Sequence, residues 1–176
     1  MGDNYYYDCA IRTVISSFQF ELRDIVRFIS ASQLIKDTIN KIPQMSFWDI
    51  KQKDTFSFCG TWIVPIMLGI SIVQPDLYGK FIRGEEAHLF VRAIKNMNQY
   101  DILEKNLLGD DETFLQTETT KKFIDIEEKA DSLYKALYGS QNGDEIVIGK
   151  LSIDQRMRDK LLEIQSLLSN FSNFKK

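Results

Sequence analysis

The segment Phe81-Ile82-Arg83-Gly84-Glu85-Glu86-Ala87-His88-Leu89-Phe90-Val91-Arg92 is the stretch of this chain whose residue types and spacing point to chemistry. It holds the only histidine of the sequence, His88, five residues after Arg83. Histidine titrates near neutral pH, so it can move a proton during attack of a ribose 2′-hydroxyl on its phosphodiester. Arginine stays charged and can hold a phosphate through two donors while negative charge builds. Such a pair needs no metal and no cofactor. Arg92, one turn beyond His88, and Lys95 are the further cations expected to contact substrate. At a spacing of five, Arg83 and His88 do not fall on one helical line. Arg83 must reach around, or the first turn must be irregular.

Other chemistries find no support in the sequence. There is no Gly-x-x-x-x-Gly-Lys or Gly-x-Gly-x-x-Gly loop to cradle phosphates. There is no Gly-x-Ser-x-Gly elbow, and no loop of alternating acids for a metal ion. Two cysteines and one histidine exclude a disulfide framework and a multi-ligand zinc site. Cys9 and Cys59 read as reduced thiols used for packing. The net charge of −3 excludes a strongly basic nucleic-acid coat while leaving room for a local basic patch.

Long helices are expected to position these residues, because proline (3) and glycine (9) are scarce. Ile11, Val14, Phe18, Leu22, Ile25 and Ile29 recur at steps of three and four, predicting one amphipathic helix over about 5–42, closed by Pro43. Residues 56–75 carry no charge. Their β-branched content suits a strand or a buried helix, and a helix over 62–73 with Pro65 in its first turn is preferred. A second long helix is predicted over about 78–108. It has an apolar stripe of Ala87, Phe90, Val91, Ile94 and Met97, and Gly109 beyond its end. Residues 110–131 hold eight acids against three lysines. Phe123, Ile126, Ala130, Leu133 and Leu137 then repeat at 3-4-3-4, like the seam of a coiled coil, within a helix over 112–138. Asn142-Gly143 marks a loop, Ile146–Ile148 a short extended piece, and Ser152 with Gln155 a capping box for a last helix over 152–170.

With Arg-x-x-x-x-His placed at the start of a helix in an all-helical chain, the sequence resembles the HEPN superfamily, whose members are small helical bundles with an Arg-x4–6-His motif. The resemblance implies a metal-independent ribonuclease of a bacterial defence or toxin–antitoxin system, in which two motifs share a cleft across a dimer. Arg83 and His88 match the two motif positions directly: Arg83 as phosphate stabiliser, His88 as general acid or base. Other members of that family are inactive binding or dimerisation modules. The position after the arginine, commonly Asn, His or Asp in the family, is Gly84 here, and Glu85 and Glu86 place negative charge beside the motif.

The 176 residues therefore predict an all-α fold, a bundle around two long antiparallel helices with further C-terminal helices. One domain over 1–138 is expected, with a loop and last helix over 139–176 packed on it. The segment 56–75 is expected to be buried and not membrane-inserted: Gly60, Pro65 and Gly69 interrupt it, and lysines or arginines flank both ends. A cytoplasmic location, a homodimer through the 123–137 seam, RNA as ligand and a protein partner such as an antitoxin are the further expectations. The competing reading is a non-catalytic helical interaction or assembly module.

Overall fold

A computed structural model describes residues 2–39, 50–96, 106–107, 119–139 and 145–172. The class is all-α, with one small antiparallel hairpin.

The predicted first helix is two helices. α1 spans Gly2–Phe18 and α2 spans Leu22–Ile39. Gln19 takes a left-handed backbone (φ 53°) and stops α1. The stop re-phases the chain. Val14 and Phe18 face the core, but Leu22 and Ile29 of the same predicted stripe turn to solvent, and Phe28, Ala31 and Ile35 become the buried side of α2. The Tyr7 hydroxyl donates to Ser32 O (2.9 Å) and ties the two helices.

α3 (Ile50–Phe58) runs through a π-helical turn, Cys59–Ile63, into α4 (Val64–Val73). The Val64 N–H reaches back five residues to Cys59 O. Pro65 follows, where its missing N–H falls beside an already widened turn. The expected helix over 62–73 is therefore present, but it continues helical backbone that begins at Ile50, so Pro65 sits beside the π turn and not at a helix start. α4 is the axis of the molecule, with every residue from Val64 to Ser71 buried. α1 and α2 pack against it, as do α5 and the last helix, α8, described below. Gly69 lets α1 approach, because a Cβ there would overlap Val14 Cγ1 at 2.4 Å. Asp54–Val73 is long and apolar enough to cross a membrane, and 78% of its most apolar window is buried inside the fold.

The predicted helix over 78–108 is also divided. α5 spans Pro75–Ile82, a turn covers Arg83–Glu86, and α6 spans Ala87–Lys95. Residues 97–105 and 108–109 lie outside the described residues. α7 spans Thr119–Tyr138; the first part of the predicted 112–138 helix again lies outside. Ile126, Ala130, Leu133 and Leu137 are buried, and α7 packs chiefly on α6. These four positions are consumed within the monomer; the side chain of Phe123, the first position of the seam, lies outside the described residues.

β1 (Ile146–Ile148) pairs with β2 (Leu151–Ile153), with Ile146 opposite Ile153. Ser152 lies in β2 instead of capping the last helix. Its N–H donates to Thr55 Oγ1 (2.9 Å), and its hydroxyl bonds Glu145. α8 (Gln155–Ser172) is capped by Asp154, whose Oδ1 accepts the Met157 N–H at 2.8 Å. β2 packs on α3 and α8 on α4, so this C-terminal portion shares the central core.

Candidate functional site

Arg83 and Gly84 close α5. The Gly84 N–H donates to Phe81 O and the Glu85 N–H to Lys80 O, both at 3.1 Å. With Gly84 at φ 83°, this is a glycine-terminated helix end whose paired bonds satisfy the last carbonyls. A side chain at Gly84 would also press on Tyr138 O, 3.0 Å from its Cβ. The residue that departs from the ribonuclease pattern is thus explained by backbone geometry.

Tyr134 of α7 holds the turn from beneath. Its hydroxyl donates to Phe81 O (2.6 Å) and accepts the Glu86 N–H (3.0 Å), joining the end of α5 to the start of α6. Burial raises its pKa above the usual value, which keeps the phenol protonated as a donor. Tyr134→Phe leaves both partners without it and is expected to lower stability by about 1–3 kcal/mol, measured by urea denaturation.

Arg83 in this turn and His88 just beyond it in α6 are both exposed, and each faces its own carboxylate. Arg83 binds Glu85 through two nitrogens, Nε to Oε1 at 2.9 Å and Nη2 to Oε2 at 3.3 Å. This pairing holds the guanidinium further toward its charged form and the Glu85 carboxyl below its ordinary range. The guanidinium folds back over α5, with Nη1 3.6 Å from the Cβ position of Gly79. His88, 69% exposed, has Nδ1 3.2 Å from Glu86 Oε2. The irregular first turn required by the five-residue spacing is therefore present, but it sends Arg83 toward Glu85 and not toward His88. Chemically, the segment offers an imidazole held by a carboxylate, and an arginine whose fork is already occupied by another carboxylate.

Arg92 and Lys95 are directed elsewhere. Arg92 Nη2 donates to Ser17 O (2.6 Å), and Asn96 Nδ2 donates to Ser17 Oγ (3.0 Å). Together they cap the C-terminus of α1, whose free carbonyls and negative dipole end favour a cation. Lys95 pairs with Glu127 of α7 at 2.5 Å. The 123–137 face meets α6 through this pair as well as through its apolar seam.

A cleft of about 220 Å³ opens beside Ile82, Leu137, Tyr138, Gly139, Gln155, Arg158 and Leu162, without Arg83 or His88 in its wall. Arg158 is 7% exposed and donates from Nε to Ala136 O (3.0 Å), near the end of α7. Sequence reasoning passed over it. The signal was its position beside Met157, with Leu161 and Gln165 following at helical spacing on the buried face. Cys59 is fully buried, and burial pushes its thiol up to about 12, which suits packing. Among the described residues no three His, Cys, Asp or Glu side chains group as metal ligands. Compared with protein-family models, curated proteins and solved structures, the chain matches none.

Proposed function

We propose that this protein is a cytoplasmic, non-catalytic helical interaction module that docks an amphipathic helix on the solvent face of α2. One observation carries the reading: Leu22, Val26 and Ile29 line that face at 78%, 59% and 41% exposure. With Gln33 they are spaced 4-3-4, the seam spacing by which one helix receives another. The buried side of α2 is already complete in Phe28, Ala31 and Ile35, so folding of the monomer does not require the outer seam. A photo-crosslinking residue at position 26, in the protein's own cells, tests this. The expected product is a single discrete adduct whose attached peptide maps to an amphipathic helix. Absence of any adduct overturns the reading. His88→Ala leaves the adduct unchanged.

A second reading is favoured by one geometric fact, the contact of Glu86 Oε2 with Nδ1 of an exposed His88. In it His88 moves the proton in metal-independent RNA cleavage, Arg83 leaves Glu85 to hold the phosphate, and the partners are RNA and an antitoxin or defence-complex subunit. Cleavage of single-stranded RNA in EDTA, leaving cyclic phosphate ends, is its expected result. His88→Ala lowers the rate by about 10²–10⁴-fold. An inactive wild type retires this reading without touching the first.

A further inference from the structure

We infer that the cleft between the ends of α5, α7 and α8 binds a small organic monocarboxylate, with its carboxylate on Arg158 and its apolar body on Ile82, Leu137 and Leu162. The inference stands apart from the α2 face. It uses none of that face's residues and does not depend on that reading.

The cleft forms where three helix ends meet. α5 brings Ile82, the end of α7 brings Leu137 and Gly139, and the start of α8 brings Gln155, Arg158 and Leu162. Local structure fixes the arginine there. The last carbonyls of a helix have no partner within it, and Arg158 Nε donates to one of them, Ala136 O of α7, at 3.0 Å. Its Nη1 lies 3.4 Å from Gln155 Oε1. Both acceptors are neutral oxygens, so they set the direction of the guanidinium without cancelling its charge. The side chain is thus a cation 7% exposed that also forms part of the cleft wall.

The wall selects the ligand. A guanidinium stays charged at any physiological pH, and its planar fork matches a carboxylate. The aliphatic side chains beside it exclude water, which strengthens a charge-assisted bond. One cation among apolar neighbours suits a monoanion; the second charge of a phosphate would be buried against hydrocarbon. Among the described residues no acidic side chain lines the cleft. Asp159, the acid nearest to Arg158 in sequence, accepts from Gln155 Nε2 at 2.9 Å on the exposed side of α8. Size narrows the class further. The cleft of about 220 Å³ holds roughly seven waters' worth of liquid and lies below the range of drug-sized sites. An acid with one ring or a short chain fits it, and a nucleotide does not.

Titration of the full ¹⁵N-labelled chain with sodium benzoate and, separately, sodium hexanoate tests the inference by nuclear magnetic resonance. Saturable shifts are expected at the amides of Leu137, Gly139 and Gln155 and at the Arg158 Nε–H, with a Kd on the order of 1 mM for ligands this small. Benzamide, which keeps the shape of benzoate without its charge, binds about tenfold more weakly or worse. Leu162→Glu puts a like charge in the wall at a position 54% exposed, so the circular dichroism spectrum stays unchanged. Its benzoate affinity falls by about tenfold or more. Arg158→Gln keeps a donor near Ala136 O, removes the charge and loses binding likewise; if it does not fold, Leu162→Glu carries the test alone. No saturable shift with either acid at about fifty times the expected Kd overturns the inference. So does benzamide binding as tightly as benzoate, or benzoate binding that survives Leu162→Glu. Each of those results leaves Arg158 as a cap on α7 alone.

Discussion

Phe81→Ala is expected to lower stability by about 3–5 kcal/mol, the range for removing a buried aromatic ring. Phe81 is fully buried in the last turn of α5. Its ring lies 5.1 Å from Tyr134 and 5.2 Å from Tyr138, both on α7, so truncation opens a cavity between α5 and α7. The cost extends beyond lost contact area. Tyr134 donates its hydroxyl to the Phe81 carbonyl, and a tyrosine ring free to tilt loosens the bond that joins α5 to α6. Domains of this size hold only about 5–15 kcal/mol in total, so the variant sits near the limit of folding. Thermal unfolding should fall by roughly 6–20 °C, taking ~2–4 °C per kcal/mol at this length. Urea denaturation with an unchanged slope separates a cavity from a change in the unfolded chain. A loss below about 1 kcal/mol would show that Tyr134 and Tyr138 close over the gap.

Gly149→Ala carries the second large effect. Gly149 turns the hairpin at φ 57°, a left-handed conformation that costs a residue with a Cβ about 1–2 kcal/mol. The same Cβ would lie 2.4 Å from Asn106 O and 2.5 Å from Leu107 O. Backbone oxygens cannot rotate away as a side chain can, so the hairpin must lift, adding roughly 1–3 kcal/mol of overpacking strain. Lifting also breaks the bond from the Lys150 N–H to Asn106 O (2.9 Å) and loosens β2 from α3. Hydrogen exchange reads this directly: the Lys150 amide should exchange faster in the variant, while amides of α4 keep their protection up to the new global limit. If stability and exchange are both unchanged, the hairpin does not bear on residues 106–107 as described.

Much of the candidate site was legible, and one part was not. Arg83 and His88 stand out through residue type alone, and the structure puts both at the surface, Arg83 in the turn after α5 and His88 in the first turn of α6. Their partners were also visible, since Glu85 and Glu86 are their near neighbours in sequence. What the spacing concealed was direction. Gly84 ends α5, and the reversal it creates points Arg83 back along its own helix. The Phe-Ile-Arg-Gly run carried that signal, a glycine one step past a helix end. The apolar stripe of Ala87, Phe90, Val91 and Ile94 continues beyond that glycine and masks the break.

Composition and periodicity alone determined that this chain is of the all-α class, that the uncharged run around 62–73 is buried, and that Ile126, Ala130, Leu133 and Leu137 share one face. Each is a local consequence of residue type and of a repeat near 3.6. Only the tertiary structure decided where helices stop and which faces remain open. Nothing at Gln19 announces a break, with neither glycine nor proline there. α1 ends where Arg92 and Asn96 reach Ser17 from 75 and 79 residues away. That stop rotates Leu22, Val26 and Ile29 out of the core, and so creates the face on which the proposed function rests. The 123–137 seam shows the converse. It reads as an intermolecular surface in sequence, but Ile126, Ala130, Leu133 and Leu137 are buried within the chain, where the helix packs on α6, because periodicity shows that a face is apolar and cannot show which element buries it.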